Sequence, residues 1–295
     1  MSVTVKAIVG ATTYTISGGN PFYYVGMVGL GIAPTRRLKD RGPLQDGATD
    51  IGYRLDERLL NLVLLTVGTD PSDMDTQRDT LKIIFRPRTS TPVKLNITRD
   101  NGAIRQIDTY AVGLTDYPDT LPARLYDSQL VTVQLEAANP IWYDPTLVNL
   151  VFETVVGGTE GFQIPMLVPW DQLAGDVIDA TETIAYAGDY KEYPVIVVTG
   201  PAEDITITNV TTSELLDFTN ANIPAGDSWT IDLRYGYKDI TNEAGASQLS
   251  ALSAASNLGT WHLEPGNNDI TVAIPTGATT ATSVSMRYYN RYVGL

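Results

Sequence analysis

Val131-Thr132-Val133-Gln134-Leu135-Glu136 alternates apolar and polar residues without a break. Side chains on a β-strand point to opposite faces in turn, so such a run buries one face and wets the other. The same period recurs on both sides of it. Leu95 and Ile97 alternate with Lys94, Asn96 and Thr98, and Val3 and Val5 alternate with Thr4 and Lys6. Later, Ile205 and Ile207 alternate with Thr206 and Thr208. Trp229, Ile231, Leu233 and Tyr235 alternate with Thr230, Asp232 and Arg234, and Val284, Met286 and Tyr288 with Ser285 and Arg287. Many short runs of this kind, divided by Gly, Pro and Asn, predict an all-β chain of antiparallel, β-sandwich-type domains. Asn101-Gly102 sits between two such runs, and both residues tolerate positive φ, so a tight hairpin is predicted there.

One segment breaks the period. Asp70-Pro71 leads into Ser72-Asp73-Met74-Asp75, so acids crowd a first turn and proline takes the first helical position. The helix is expected to end near Ile84, because Arg86-Pro87 forces extended chain. A single short helix among strands should cover one open sheet face.

Two stretches carry no strand period and read as long loops. Gly29 to Asp50 holds the basic cluster Arg36, Arg37, Lys39 and Arg41; Gly157 to Tyr186 is rich in Gly, Pro and acid. Loops of this length are uncommon unless they have a task. Arginine is well suited to interfaces, so Arg36, Arg37, Lys39 and Arg41 are the candidate subunit interface. A domain boundary is placed near Val151, dividing the chain into 1–150 and 151–295.

Length and charge narrow the function. At roughly 150 residues per domain, 295 residues suggest two. Cysteine is absent, which removes disulfides and thiolate metal sites. No apolar run reaches the roughly 18 residues of a membrane span, and the first ten residues lack a signal peptide's features. A soluble chain, made and kept in a cytoplasm and without membrane partners, is expected. Residues 1–150 carry 15 basic and 16 acidic residues, a net of −1, while residues 151–295 carry 5 and 18, a net of −13. The second half should repel phosphate and reads as a solvated outer surface; the balanced first half suits packing against neighbours.

Reactive constellations are hard to assemble. His262 is the one histidine and has no nucleophile motif beside it, so a half-exposed strand histidine explains it better than a triad. Zinc needs several His or Cys ligands. From Asp70 the sixth and twelfth positions of a calcium loop would be Asp75 and Leu81, where Gly and Glu are needed. Gly29-Leu30-Gly31 lacks the rest of a dinucleotide fingerprint. Asn96-Ile97-Thr98 and Asn209-Val210-Thr211 match a glycosylation pattern that recurs by chance. A carboxylate pair for glycoside hydrolysis is a spatial matter that no short motif marks. Trp142, Trp170, Trp229 and Trp261 could build a sugar platform; Trp229 reads as core, and Trp261, at a strand–turn edge, as the surface aromatic. No catalytic, cofactor or metal residues are assigned, and the chain is expected not to be an enzyme. The alternative kept open is a carbohydrate-binding protein for host-surface glycans.

Several short motifs then carry a likeness. Arg41-Gly42-Pro43-Leu44-Gln45-Asp46-Gly47, Glu57-Arg58 with the apolar run Leu59 to Val67, the helix into Ile84-Phe85-Arg86-Pro87, and Ala138-Asn139-Pro140-Ile141-Trp142-Tyr143-Asp144 resemble the N-terminal part of siphophage distal tail proteins. Ala187-Gly188-Asp189-Tyr190, Tyr193-Pro194-Val195-Ile196, Gly200-Pro201, Asn209-Val210-Thr211-Thr212, Leu263-Glu264-Pro265-Gly266-Asn267-Asn268 and Arg287-Tyr288-Tyr289-Asn290-Arg291-Tyr292 resemble that family's C-terminal, galectin-like domain. Each is weak alone; their order across nearly the whole chain is specific.

The resemblance implies a virion protein at the distal end of the tail, assembled in the host cytoplasm. The first domain would form a homo-hexameric ring between the major tail tube protein and a tail-tip hub protein. The second would project outward, in some relatives carrying receptor-binding proteins. DNA would meet the ring only by passing through its lumen. The galectin sugar motif His-x-Asn-Pro-Arg is missing, since Leu263 and Glu264 follow His262, so galectin sugar chemistry is not carried over.

Overall fold

The computed structural model describes residues 4–113, 116–118, 120–121, 123–152 and 176–295. The chain divides into two compact units, Met1–Pro145 with Tyr292–Leu295, and Thr146–Arg291.

The first unit contains β1 (Thr4–Val9), β2 (Thr12–Thr15), β3 (Phe22–Val28), β4 (Thr35–Asp40), β5 (Thr49–Leu55), β6 (Arg58–Val67), α1 (Pro71–Phe85), β7 (Val93–Thr98), β8 (Ile104–Ala111), β9 (Ser128–Ala137) and β10 (Trp142–Tyr143). One antiparallel sheet runs β2-β1-β7-β8-β9-β6-β3, with β10 added against β8. The quoted run lies on β9, where Val131, Val133 and Leu135 are all fully buried. They pair with Leu64, Leu62 and Leu60 of β6, so both strands turn the same period inward. Val5, Ala7, Leu95 and Ile97 join the same core from the other end of the sheet. The two layers expected of a sandwich are thus one continuous sheet whose halves share a core. The Asn101-Gly102 hairpin is present between β7 and β8, with Gly102 at φ 82 and its N–H donating to the Arg99 carbonyl at 2.9 Å.

Helix α1 starts where its cap chemistry places it. The Asp70 carboxylate accepts from the Ser72 and Asp73 backbone N–H groups, both at 2.9 Å. Asp73 in turn accepts from the Thr69 N–H at 2.8 Å, a reciprocal arrangement that satisfies orphan donors. The hydrogen bond from Gln77, with that from Thr69, holds the Asp73 carboxyl below its ordinary pKa. Leu81, Ile84 and Phe85 turn into the core, so the helix covers a sheet face as expected.

The second unit contains β11 (Val148–Phe152), β12 (Asp176–Tyr186), β13 (Val195–Thr199), β14 (Ala202–Asn209), β15 (Glu214–Ile223), β16 (Ser228–Asp232), β17 (Asp239–Asn242), a 3-10 turn (Leu249–Ala251), β18 (Gly266–Ala278), β19 (Ser283–Tyr288) and the start of β20 (Arg291–Tyr292). It has two sheets, β11-β19-β13-β16-β17 and β12-β18-β14-β15. Ile196, Val198, Ile231, Val284 and Met286 come from the first. Ile205, Ile207, Phe218, Val272 and Ile274 come from the second, and all belong to one core. No helix among the described residues is long and apolar enough to cross a membrane.

Four readings of the sequence change here. The stretch read as a loop over 29–50 contains a strand, β4, paired with β5. Neither of its faces is buried, so it has no apolar period for a sequence to display. Of the loop read over 157–186, residues up to 175 lie outside the described part, and 176–186 form β12, with Ile178, Ile184 and Tyr186 buried. The run from Trp229 ends at Asp232; Tyr235 is 67% exposed on a turn that Gly236 makes at φ 83. Trp261 is not a surface aromatic: it is fully buried in the second core.

Candidate subunit interface

Among the described residues, strands β4 and β5 form a two-stranded ribbon that joins no other sheet. Every residue of β4 is exposed, and β5 is nearly so. An isolated two-stranded hairpin is marginal in water, because it has no third strand or helix to receive its side chains. The register sets Arg36 opposite Arg54, Arg37 opposite Tyr53 and Leu38 opposite Gly52. It then shifts, so that Lys39 faces Asp50. Arg37 donates to the Asp50 carboxylate at 2.8 Å and lies 6.0 Å from the centre of the Tyr53 ring. Like charges directly opposite each other weaken a strand pair, so Arg36 against Arg54 works against the ribbon on its own.

Arg36, Arg37 and Lys39 therefore share one strand, and Arg41 follows it at the turn. Among the described residues, the Arg36, Lys39 and Arg41 side chains meet no hydrogen-bond or ion-pair partner. The ribbon also exposes apolar groups: Ile51 is 65% and Tyr53 56% exposed. At the tip, Leu44 is 106% exposed and sits at φ 69, a left-handed conformation that costs a side chain roughly 1 kcal/mol. Sequence reading found the basic residues but missed Leu44, whose tip position follows only from the turn around it.

The foot of the ribbon is rigid. Arg58 opens β6 and is 1% exposed, yet meets no carboxylate among the described residues. Its guanidinium instead donates to four backbone carbonyls: Pro140 at 2.8 Å, Gly29 at 2.6 Å, Gly31 at 2.7 Å and Val293 at 2.8 Å. Burial lowers its pKa from the ordinary arginine value. Gly29 has φ 98, and a Cβ there would run into the Leu59 carbonyl oxygen, so only glycine fits. The chain end adds a clasp: Ala33 N–H donates to Val293 at 3.1 Å and Leu295 N–H to Leu30 at 3.0 Å. Trp142 is buried nearby, its ring 5.9 Å from the Arg58 guanidinium carbon. Glu57-Arg58 and Asn139-Pro140-Ile141-Trp142, far apart in sequence, thus meet in one place.

The motifs of the second unit converge likewise, as buried polar turn-formers. Asn209 donates to the His262 carbonyl at 2.7 Å, and Asn268 accepts from Glu264 N–H at 2.9 Å; both asparagines are fully buried. Asn96 is buried too, so neither glycosylation pattern is presented on the surface. Gly188 leaves no room for a Cβ beside Arg291 and Tyr186. Glu192, 2% exposed, is ion-paired to Arg291 and accepts from Tyr289 N–H at 3.3 Å. Burial raises its pKa, with Arg291 offsetting part of the rise. His262 lies between two carboxylates, 3.2 Å from Glu214 and 2.7 Å from Glu264. No nucleophile is bonded to it, and no group of three or more His, Cys, Asp or Glu is placed to hold a metal ion, among the described residues.

Residues 187–292 match the family model described as the siphovirus-type tail component, C-terminal domain. No curated protein matches the chain in sequence. In fold, the chain is similar to the crystal structure of the Dit protein of phage SPP1, described as a paradigm of the hub adsorption apparatus in phages infecting Gram-positive bacteria. The TM-score is 0.63 at 13% identity, covering 96% of this chain and 98% of that one. Two structures of the phage p2 baseplate in its activated conformation also match. The calcium form gives 11% identity over 95% of this chain and 100% of the other, TM-score 0.44. The strontium form gives 10% over 97% of each, TM-score 0.46.

Proposed function

We propose that this chain, a siphovirus-type tail component of the distal tail protein kind, assembles into a hexameric ring joining the tail tube to the tail-tip hub. Its first unit forms the ring, stacking on the major tail tube protein on one side and on the hub protein on the other. The second unit faces outward as a platform for receptor-binding proteins. The role is architectural and involves no catalysis.

One observation carries this reading: among the described residues of its own unit, the β4–β5 ribbon, with its unpaired Arg36, Lys39 and Arg41 and bare apolar tip, lacks the contacts that would stabilise it. A second copy supplies them. The open edge strand β3 supports the same reading, because Val25 at 56% and Val28 at 67% exposure are the features of an edge that pairs or is covered. The near-neutral charge of the first half lets DNA pass a lumen without being gripped.

Negative-stain images and sedimentation of the full chain test the ring. Six-fold rings are expected, and a strict monomer at high concentration overturns the proposal. The variant Arg36→Glu/Arg37→Glu/Arg41→Glu should lose rings while melting as the parent does, since exposed ion pairs contribute under about 1 kcal/mol. Rings that survive unchanged would remove the ribbon from the contact.

A further inference from the structure

The turn after β16, Arg234-Tyr235-Gly236-Tyr237-Lys238, holds an arrangement that tail architecture does not use. The Lys238 ammonium lies 4.0 Å from the centre of the Tyr193 ring and 5.6 Å from that of Tyr235. The two rings meet edge to face at 4.6 Å, and their hydroxyls are 3.0 Å apart. The Lys238 Nζ is shielded from solvent and has no hydrogen-bond partner among the described residues. Its backbone is left-handed, at φ 43. Burial lowers its pKa from the ordinary lysine value to about 8, although the nearby Glu214 carboxylate favours the charged form.

A primary ammonium carries three donors and is strongly hydrated, so a seat made of ring faces with no acceptor suits it badly. A quaternary ammonium has no donor to satisfy and is drawn to aromatic faces without that loss. We infer that Tyr193 and Tyr235 form a cation cage that Lys238 occupies from within the chain, and that an organic quaternary ammonium group of choline type is its external ligand. Tyr235 is 67% exposed and Tyr193 only 7%, so the cage is open to solvent at its Tyr235 wall. Glu214, 13% exposed and 3.2 Å from His262, adds negative charge beside the seat.

Choline chloride is the probe, titrated into the full-length protein by calorimetry and by tyrosine ring NMR shifts. Lys238→Gly removes the nearer cation, leaving the Lys191 ammonium 5.6 Å from the Tyr193 ring centre, and places glycine at a φ that favours it, so the fold is kept. Choline should bind Lys238→Gly about tenfold more tightly than the parent, and Lys238→Gly/Tyr235→Ala should lose that gain. Absence of binding to Lys238→Gly, or binding that persists without Tyr235, overturns the inference. Ring formation plays no part in this readout, so its outcome is separate from that of the architectural proposal.

Discussion

Each unit closes on an arginine, fully buried in the first and half-buried in the second, and the two are answered in different ways. Arg58 is surrounded by four neutral carbonyls, drawn from three segments of the first unit. Arg291, in the second unit, meets the carboxylate of Glu192. A guanidinium among carbonyl dipoles keeps its charge at any ordinary pH, so the clasp it makes is insensitive to protons. An ion pair taken out of water is held by opposed large terms, desolvation against attraction, and responds to pH because one partner titrates. The ribbon stands on the first kind of anchor and the second unit's turns on the other.

Removing Arg58 is the larger perturbation. Arg58→Met keeps the stem's volume and removes the donor to the buried Pro140 carbonyl and to the partly exposed Gly29 and Gly31 carbonyls, while Val293 keeps the Ala33 N–H. With one buried carbonyl orphaned and water relieving the exposed ones, the loss should be roughly 1–3 kcal/mol. Hydrogen exchange read by mass spectrometry should show protection lost across β6 and β9, with β13 and β14 unchanged. Equal loss in both units would mean that Arg58 does not anchor the first unit specifically.

Glu192→Gln sharpens the contrast, because it should change a pH profile rather than stability alone. Burial raises the Glu192 pKa in the folded chain above its ordinary 4.5, despite Arg291. The folded state therefore holds the proton to higher pH than the unfolded state does. That contribution is complete below the unfolded pKa and is lost as pH rises through the folded one. Denaturant melts of the second unit should carry, in the parent, a component that weakens upward across this window, and Glu192→Gln should lose that component. Near neutrality the variant should be no less stable than the parent, because burial outweighs the attraction to Arg291 and the fold favours the neutral side chain. A parent profile that strengthens with pH would show that attraction to Arg291 outweighs burial.

The same contrast explains what was legible in the sequence. Strands with one buried and one polar face announce themselves, as β7, β9, β14 and β19 do, because period-two burial is a local pattern. The Asp70-Pro71 helix start is equally local. β4 was missed because an unburied ribbon has no period, and its basic residues could be picked out only as a cluster. Arg58 reads as one more charge after a glutamate; its carbonyl partners include Val293, 235 residues away. Trp261 beside His262 and Glu264 looked like a rim, yet the ring turns into the core while its polar neighbours cap the turn outside. The motifs that resemble those of distal tail proteins were readable as a likeness; that their glycines and polar residues are buried at convergent turns follows only from their contacts.

The smallest expected change falls at the ribbon tip, and it separates folding from assembly. Leu44 bears two costs in the isolated subunit, full exposure of its side chain and a left-handed backbone. Leu44→Gly removes both and gives the unfolded chain more freedom, so stability should stay level or rise by up to about 1 kcal/mol. A substitution that harms nothing within the subunit should nonetheless weaken rings, because an exposed leucine is repaid only by apolar surface from another copy. Dilution of the variant followed by mass photometry should show dissociation at higher protein concentration than the parent requires. Rings that persist equally on dilution would confine the contact to the basic strand below the tip, and a drop in stability would mean that Leu44 packs within its own subunit.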